Sequence, residues 1–176
     1  GIGRAIALHY AREGANIAVV YLKSDEDAFE TQNLVENEGI KCLLIKGDIS
    51  SVKFCKIAVQ QTFKKFGRID ILVNNAGMHE DSPSIEEIEP EQIQKTFAVN
   101  TFPLFYFTQA ALKYMKPGST IINTASVVAY RGSDHLLDYS ASKCAVVTFT
   151  RSLAQNLSKK KIRVNGVAPG PIWTPL

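Results

Sequence analysis

Tyr139 and Lys143 stand four residues apart in Tyr-Ser-Ala-Ser-Lys, with Ser126 thirteen residues upstream. In a helix that spacing sets both side chains on one face, one turn apart. A phenol with a pKa of about 10 is a poor proton donor or acceptor at neutral pH. A lysine ammonium held beside it favours the phenolate and lowers that pKa toward the working range. A serine hydroxyl at the same centre can hydrogen-bond a substrate oxygen. Together the three groups suit proton transfer to or from a carbonyl or alcohol oxygen while a hydride moves at carbon. Tyr-x-x-x-Lys alone is equally the pattern of a solvated helix face, so the elements around it decide.

Those elements alternate in period. Gly3 to Glu13 reads as a helix stopped by Gly14, and Ile17 to Leu22 as a strand apolar on both faces. Ser24 caps a helix to about Glu38, Cys42 to Ile45 is a strand, and Val52 to Phe66 a helix ended by Gly67. Ile69 to Val73 is the next strand. An acidic loop leads to a long helix between Glu91 and Met115, which Pro103 kinks near Asn100. Thr120 to Thr124 is a strand, Tyr139 to Ser158 a helix and Ile162 to Val167 the last strand. Strands separated by helices imply a doubly wound α/β fold, a parallel sheet with helices on both faces.

Composition agrees: the 176 residues are 45% hydrophobic and 21% charged, which suits one domain with a real core. A net charge of +3 with dispersed basic residues gives no case for nucleic acid. The run Lys159-Lys160-Lys161 follows a predicted helix, where lysines complement the dipole. No apolar stretch approaches the roughly 18 residues that span a bilayer. Three cysteines without metal-like spacing fit a reducing cytosol, and Cys144 reads as a small buried side chain rather than a nucleophile. The histidines make no metal set, so no metal is expected.

In such folds ligands lie outside the carboxyl ends of the strands. Gly1-Ile2-Gly3 opens the first helix, where glycines admit a phosphate to the helix N-terminus, or else pack helix on strand. Asp48 follows the third element; it can accept from an adenine amino group or simply make a turn. Asn74-Asn75-Ala76-Gly77 suits a backbone-lined ligand wall or a strand-ending turn, and Pro169-Gly170-Pro171 a rigid turn.

Gly1-Ile2-Gly3, Asn74 to Gly77, Asn100, Ser126, Tyr139-x-x-x-Lys143 and Pro169-Gly170 resemble, in order and spacing, the short-chain dehydrogenase/reductase family over essentially the whole chain. The resemblance implies a Rossmann-type fold binding NAD or NADP. It casts Tyr139 as general acid/base, Lys143 as the residue that tunes it and holds the nicotinamide ribose, and Ser126 as the donor to the substrate oxygen. Asn100 resembles the residue whose backbone holds a relay water. Asp48, with Ile49 beside it, resembles the adenine contact. Asn74, Ala76 and Gly77 resemble the cofactor wall, and Ile172 and Thr174 nicotinamide contacts. The run from Pro169 to Leu176, with Ile122 to Ser126, is similar to a glucose/ribitol-dehydrogenase-like branch.

The ribose position falls on Tyr21, followed by Leu22, Lys23 and Ser24. With no carboxylate there, a 2′-phosphate meets no repulsion and Lys23 or Ser24 can meet it, so NADP is favoured and NAD is the alternative. Against the family pattern the chain lacks a first strand and the later substrate-covering segment. It is therefore expected to be a fragment of a longer protein, with a slot between neighbouring strands. The expected activity is an NAD(P)-dependent oxidoreductase on a carbonyl or secondary alcohol; the alternative is a non-catalytic nucleotide- or partner-binding protein. A small-molecule substrate, no nucleic acid or membrane partner and a cytoplasmic location are expected. Tyr130, His135, Leu136 and Trp173 are candidate pocket residues. Phe102, Phe105, Tyr106 and Phe107 exceed what one core face needs. With the resemblance, they point to a homodimer or homotetramer.

Overall fold

The computed structural model describes residues 1–174; Pro175 and Leu176, the end of the run after Pro169, lie outside them. Helix α1, Ile2–Arg12, buries Ala7 and Ala11 and stops before Gly14, whose φ of +86° a side chain would resist. Strand β1, Ile17–Tyr21, pairs in parallel with β2, Cys42–Lys46. Between them α2, Asp25–Asn37, begins at Ser24, whose Oγ accepts from the Asp27 N–H at 3.3 Å. Asp25, Glu26 and Asp27 in its first turn complement the helix dipole. Helix α3, Val52–Phe66, starts at the Ser51 cap and ends on left-handed Gly67.

A second parallel sheet runs in the order β3 (Ile71–Asn74), β4 (Thr120–Thr124), β5 (Arg163–Val167). Helices α4 (Pro90–Asn100), α5 (Phe102–Ala111), α6 (Val128–Arg131) and α7 (Leu137–Leu157) complete the chain, with short 3-10 turns at Ile85–Glu87 and Ser158–Lys160. The main core gathers Ile121 of β4, Leu157 of α7, Ala111 of α5 and Val59 of α3. Ile121 and Leu157 are wholly buried, each worth roughly 1.5–3 kcal/mol of transfer free energy.

One expectation needs amendment. The predicted long helix is two helices, broken at Thr101 (φ −123°, ψ −53°). Pro103 has no N–H for the Val99 carbonyl, and the Leu104 N–H turns to the Thr101 carbonyl at 3.2 Å instead of to Asn100. Among the described residues the strands form two sheets, β1–β2 and β3–β4–β5, with no ladder between them. The expected slot is a cleft of about 680 Å³, walled by Ile17 and Val19 on one side and Ile71 and Val73 on the other. No helix among the described residues is long and apolar enough to cross a membrane.

Candidate active site

The chemistry-bearing residues converge at the carboxyl end of β4. Lys143, on α7, is only 3% exposed, and its Nζ donates to the carbonyl of Thr124, the last residue of β4, at 2.9 Å. The same Nζ stands 5.6 Å from the centre of the Tyr139 ring. Burial disfavours the ammonium and pulls Lys143 down to about 8. No carboxylate pairs with it among the described residues. Ser126, two residues beyond β4, is buried, its Oγ accepts from the Val128 N–H at 3.4 Å, and it lies near enough to the Tyr139 phenol to exert a lowering effect on its pKa. Tyr139 is not lowered as the sequence suggested. Burial raises it above its ordinary value and Ser126 only partly offsets that. In this arrangement the phenol is protonated at neutral pH and can donate.

Asn100 closes α4 with no exposed surface. Its Oδ1 accepts from the Met78 N–H and its Nδ2 donates to the Met78 carbonyl, both at 2.8 Å. Nδ2 also donates to Ser142 Oγ at 3.0 Å, and Ser142 Oγ donates to the Tyr139 carbonyl at 2.7 Å. The Asn100 side chain thus fixes the loop after β3 and the turn of α7 that carries Tyr139. Its backbone carbonyl, bypassed by Leu104, lies at the helix break, where the resemblance needs a water-holding group.

A dinucleotide fits the strand ends. Gly1 caps α1, and Ile2 and Gly3 supply its first N–H groups, as a phosphate would need. A Cβ on Gly3 would come within 3.2 Å of Asn75 Nδ2, so that amide would have to give by a few tenths of an ångström. A Cβ on Gly77 would lie 3.2 Å from Lys143 Nζ and 3.4 Å from Asn100 Oδ1. Ala76 is exposed and Gly77 half-buried after β3. Asn74 also serves the fold: its Nδ2 donates to Asn123 Oδ1 at 2.8 Å, so the amide ties β3 to β4. Asp48 also favours the turn reading, accepting from the Ser50 N–H at 2.8 Å, with Ile49 half-buried between them. Pro169 accepts from the Val127 N–H at 3.0 Å, which brings the chain after β5 beside Ser126. Gly170 and Ile172 are exposed, and Thr174 half-buried, in that segment.

The sequence reading missed several groups. Lys46, opposite Tyr21 in the β1–β2 register, pairs with Asp25 at 2.6 Å, 6.0 Å from the Tyr21 ring centre, while Tyr21 donates to the same carboxylate. Ser24 is committed to capping. Asp138 is buried and accepts from Thr96 Oγ1 at 2.5 Å and from the Tyr139 N–H at 2.8 Å. His79 lies edge-on to Tyr139, ring centres 5.6 Å apart. Of the suggested pocket residues, Trp173 is fully exposed, Tyr130 is 64% exposed, and the His135 carbonyl accepts from the Ser82 N–H. Cys144 is exposed rather than buried, because one residue past Lys143 the helix has turned away from the core.

The sequence pattern described as short chain dehydrogenase matches residues 1–176. An oxidoreductase of Bacillus subtilis, the uncharacterized YhxC, is 56% identical over the whole chain, which spans 62% of that relative's length. The NADPH-dependent aldehyde reductase 1, chloroplastic, of Arabidopsis thaliana is 48% identical over 182 aligned residues, 63% of its length. A short chain dehydrogenase of Burkholderia cenocepacia, solved in complex with NADP, superposes with a TM-score of 0.96 at 35% identity, covering 99% of this chain and 71% of that one.

Proposed function

This chain belongs to the short-chain dehydrogenase family, and on that premise we propose that it is the dinucleotide-binding domain of an oxidoreductase acting between carbonyl compounds and secondary alcohols. The observation that carries the reading is the buried, carboxylate-free Lys143 ammonium held beside a protonated Tyr139, with buried Ser126 close to the phenol. A nicotinamide dinucleotide, when bound, supplies or takes the hydride. Ser126 holds the substrate oxygen, and the Tyr139 hydroxyl gives it a proton in reduction or takes one in oxidation. The Lys143 ammonium stabilises the phenolate left behind. Asn100 sets the positions of both helices and offers its carbonyl to a relay water.

The α1 N-terminus and the glycines at positions 1 and 3 take the pyrophosphate, Asp48 and Ile49 the adenine side, and Asn74, Ala76 and Gly77 the wall. Pro169, Gly170, Ile172 and Thr174 serve the nicotinamide end. NADP is the favoured cofactor. The NADP-bound Burkholderia structure and the Arabidopsis NADPH-dependent reductase support that choice, and a 2′-phosphate beside Tyr21 would compete with Asp25 for Lys46. A homodimer or homotetramer is inferred from Phe102 and Phe105, each 44% exposed on α5. A cytoplasmic location fits the unpaired cysteines. A protein that only binds nucleotides gains nothing from an unpaired buried ammonium, which costs stability.

The test uses the full-length protein with NADPH or NADH and a panel of aldehydes, ketones and secondary alcohols. Tyr139→Phe is expected to lower kcat/KM by about 10²–10⁴ with nucleotide affinity, read by fluorescence titration, nearly kept. Turnover unaffected by that substitution would refute the assignment.

A further inference from the structure

Tyr139 is held at both of its backbone polar groups by side chains, and each of those side chains is fastened to α4. Its carbonyl accepts from Ser142 Oγ at 2.7 Å, and Ser142 Oγ accepts from Asn100 Nδ2 at 3.0 Å. Its N–H donates to Asp138 Oδ1 at 2.8 Å, and Asp138 Oδ2 accepts from Thr96 Oγ1 at 2.5 Å. The second fastening repeats the first one turn earlier on both helices: Thr96 precedes Asn100 by four residues, as Asp138 precedes Ser142. Thr96, Asn100 and Ser142 have no exposed surface, and Asp138 is buried beside them.

Two features set the Asp138–Thr96 contact apart from ordinary helix furniture. Helix α7 has no side-chain cap at Leu136, so the Asp138 carboxylate in its first turn supplies an acceptor there and suits the helix dipole. A cap needs only one oxygen, yet the other is committed to α4, with Gln92 Nε2 at 3.5 Å beside Thr96. The threonine is equally unusual. Thr31, Thr62 and Thr150 each donate back to the carbonyl four residues earlier in their own helix, the local choice for a helical hydroxyl. Thr96 instead donates across to α7. The start of the helix that carries Tyr139 is thereby referenced to α4.

We propose that Asp138 and Thr96 are positioning residues for Tyr139, setting the start of α7 against α4 so that the phenol meets the substrate oxygen. This rests on the oxidoreductase reading above. Proton transfer tolerates little displacement: an error of about 1 Å in a reacting group costs on the order of a hundredfold in rate.

Thr96→Val keeps side-chain volume and the Asp138 cap bond, and removes only the hydroxyl that crosses to α7. The test uses the full-length protein with NADPH and the best aldehyde of the panel, well below the melting temperature of each variant. In Thr96→Val, kcat is expected to fall roughly ten- to thirtyfold while KM for the aldehyde and Kd for NADPH stay within about twofold. Thr96→Ser is expected to restore kcat, and Asp138→Asn, which also serves if Thr96→Val does not fold, to reproduce the loss. A lower melting temperature with kcat unchanged overturns the proposal, as does a loss that Thr96→Ser fails to restore. A second readout needs no turnover. In protein carrying 3-fluorotyrosine, the Tyr139 fluorine resonance, assigned by its loss in Tyr139→Phe, is expected to move or broaden in Thr96→Val and to return in Thr96→Ser. A resonance unmoved by Thr96→Val also overturns the proposal. Should the full-length protein turn over neither aldehydes nor alcohols, the oxidoreductase reading fails, and the fluorine resonance alone decides whether Thr96 and Asp138 place the ring.

Discussion

Asn100 Nδ2 and Ser142 Oγ meet at 3.0 Å across the α4–α7 interface, 42 residues apart in sequence and both without exposed surface. Because the same Asn100 amide holds both polar groups of Met78, one side chain registers three segments. Asn100→Ala leaves buried partners unpaired, and the expected loss is roughly 2–3 kcal/mol, a fall in Tm of about 4–12 °C. A thermal melt of the variant beside the wild type checks it.

Lys143 titrates near 8 in the fold against its ordinary 10.5, because burial disfavours the ammonium. A base with a depressed folded pKa binds fewer protons folded than unfolded between those two values, so its contribution rises with pH there. The burial penalty is fully present below pH 8 and is relieved as pH climbs toward 10.5, by about 3 kcal/mol in all. Tyr139, raised by burial, acts oppositely but only above its ordinary 10.0. Urea melts of wild type and Lys143→Met at pH 7 and 9.5 separate the lysine from other groups. The wild type is expected to gain on the variant as pH rises.

Gly77→Ala sets a methyl group 3.2 Å from Lys143 Nζ. Its φ is not left-handed, so the substitution strains contacts and not backbone. The flexible lysine tip yields first, at a cost of about 1 kcal/mol, and its bond to Thr124 lengthens. Activity is expected to fall about tenfold while Tm moves only a few degrees. Steady-state rates and a melt on one preparation decide it.

Asp138→Ala removes the acceptor of Thr96 Oγ1 and of the Tyr139 N–H at the start of α7. A loss of roughly 2–4 kcal/mol is expected, with Asp138→Asn recovering part of it. Denaturant midpoints of the three proteins provide the comparison.

Much of this was legible beforehand because it is local. Ser24 opens α2 and Gly67 ends α3 where their types demand it, and the Tyr139–Lys143 spacing did bring two side chains to one centre. What escaped depends on partners far along the chain. Asp138 carries no signal until Thr96 is folded against it, and the tie from Asn74 to Asn123 exists only once β3 pairs with β4. His79 gave no signal in a loop of mixed polar residues, and α6 is four residues long, too short for a period. The direction of the Tyr139 shift was misread because spacing carries no information about burial, which here outweighs the lowering effect of Ser126.

The outward turn of α7 at Cys144 makes the protein a ready-made spectroscopic probe. Cys42 and Cys55 are buried, with thiols pushed up to about 11, so a thiol reagent meets one reactive sulfur of the three in this chain. A single label there reports from the helix that carries Tyr139 and Lys143, without intruding on the face they share. Slower labelling at higher protein concentration would then signal subunits meeting along α7.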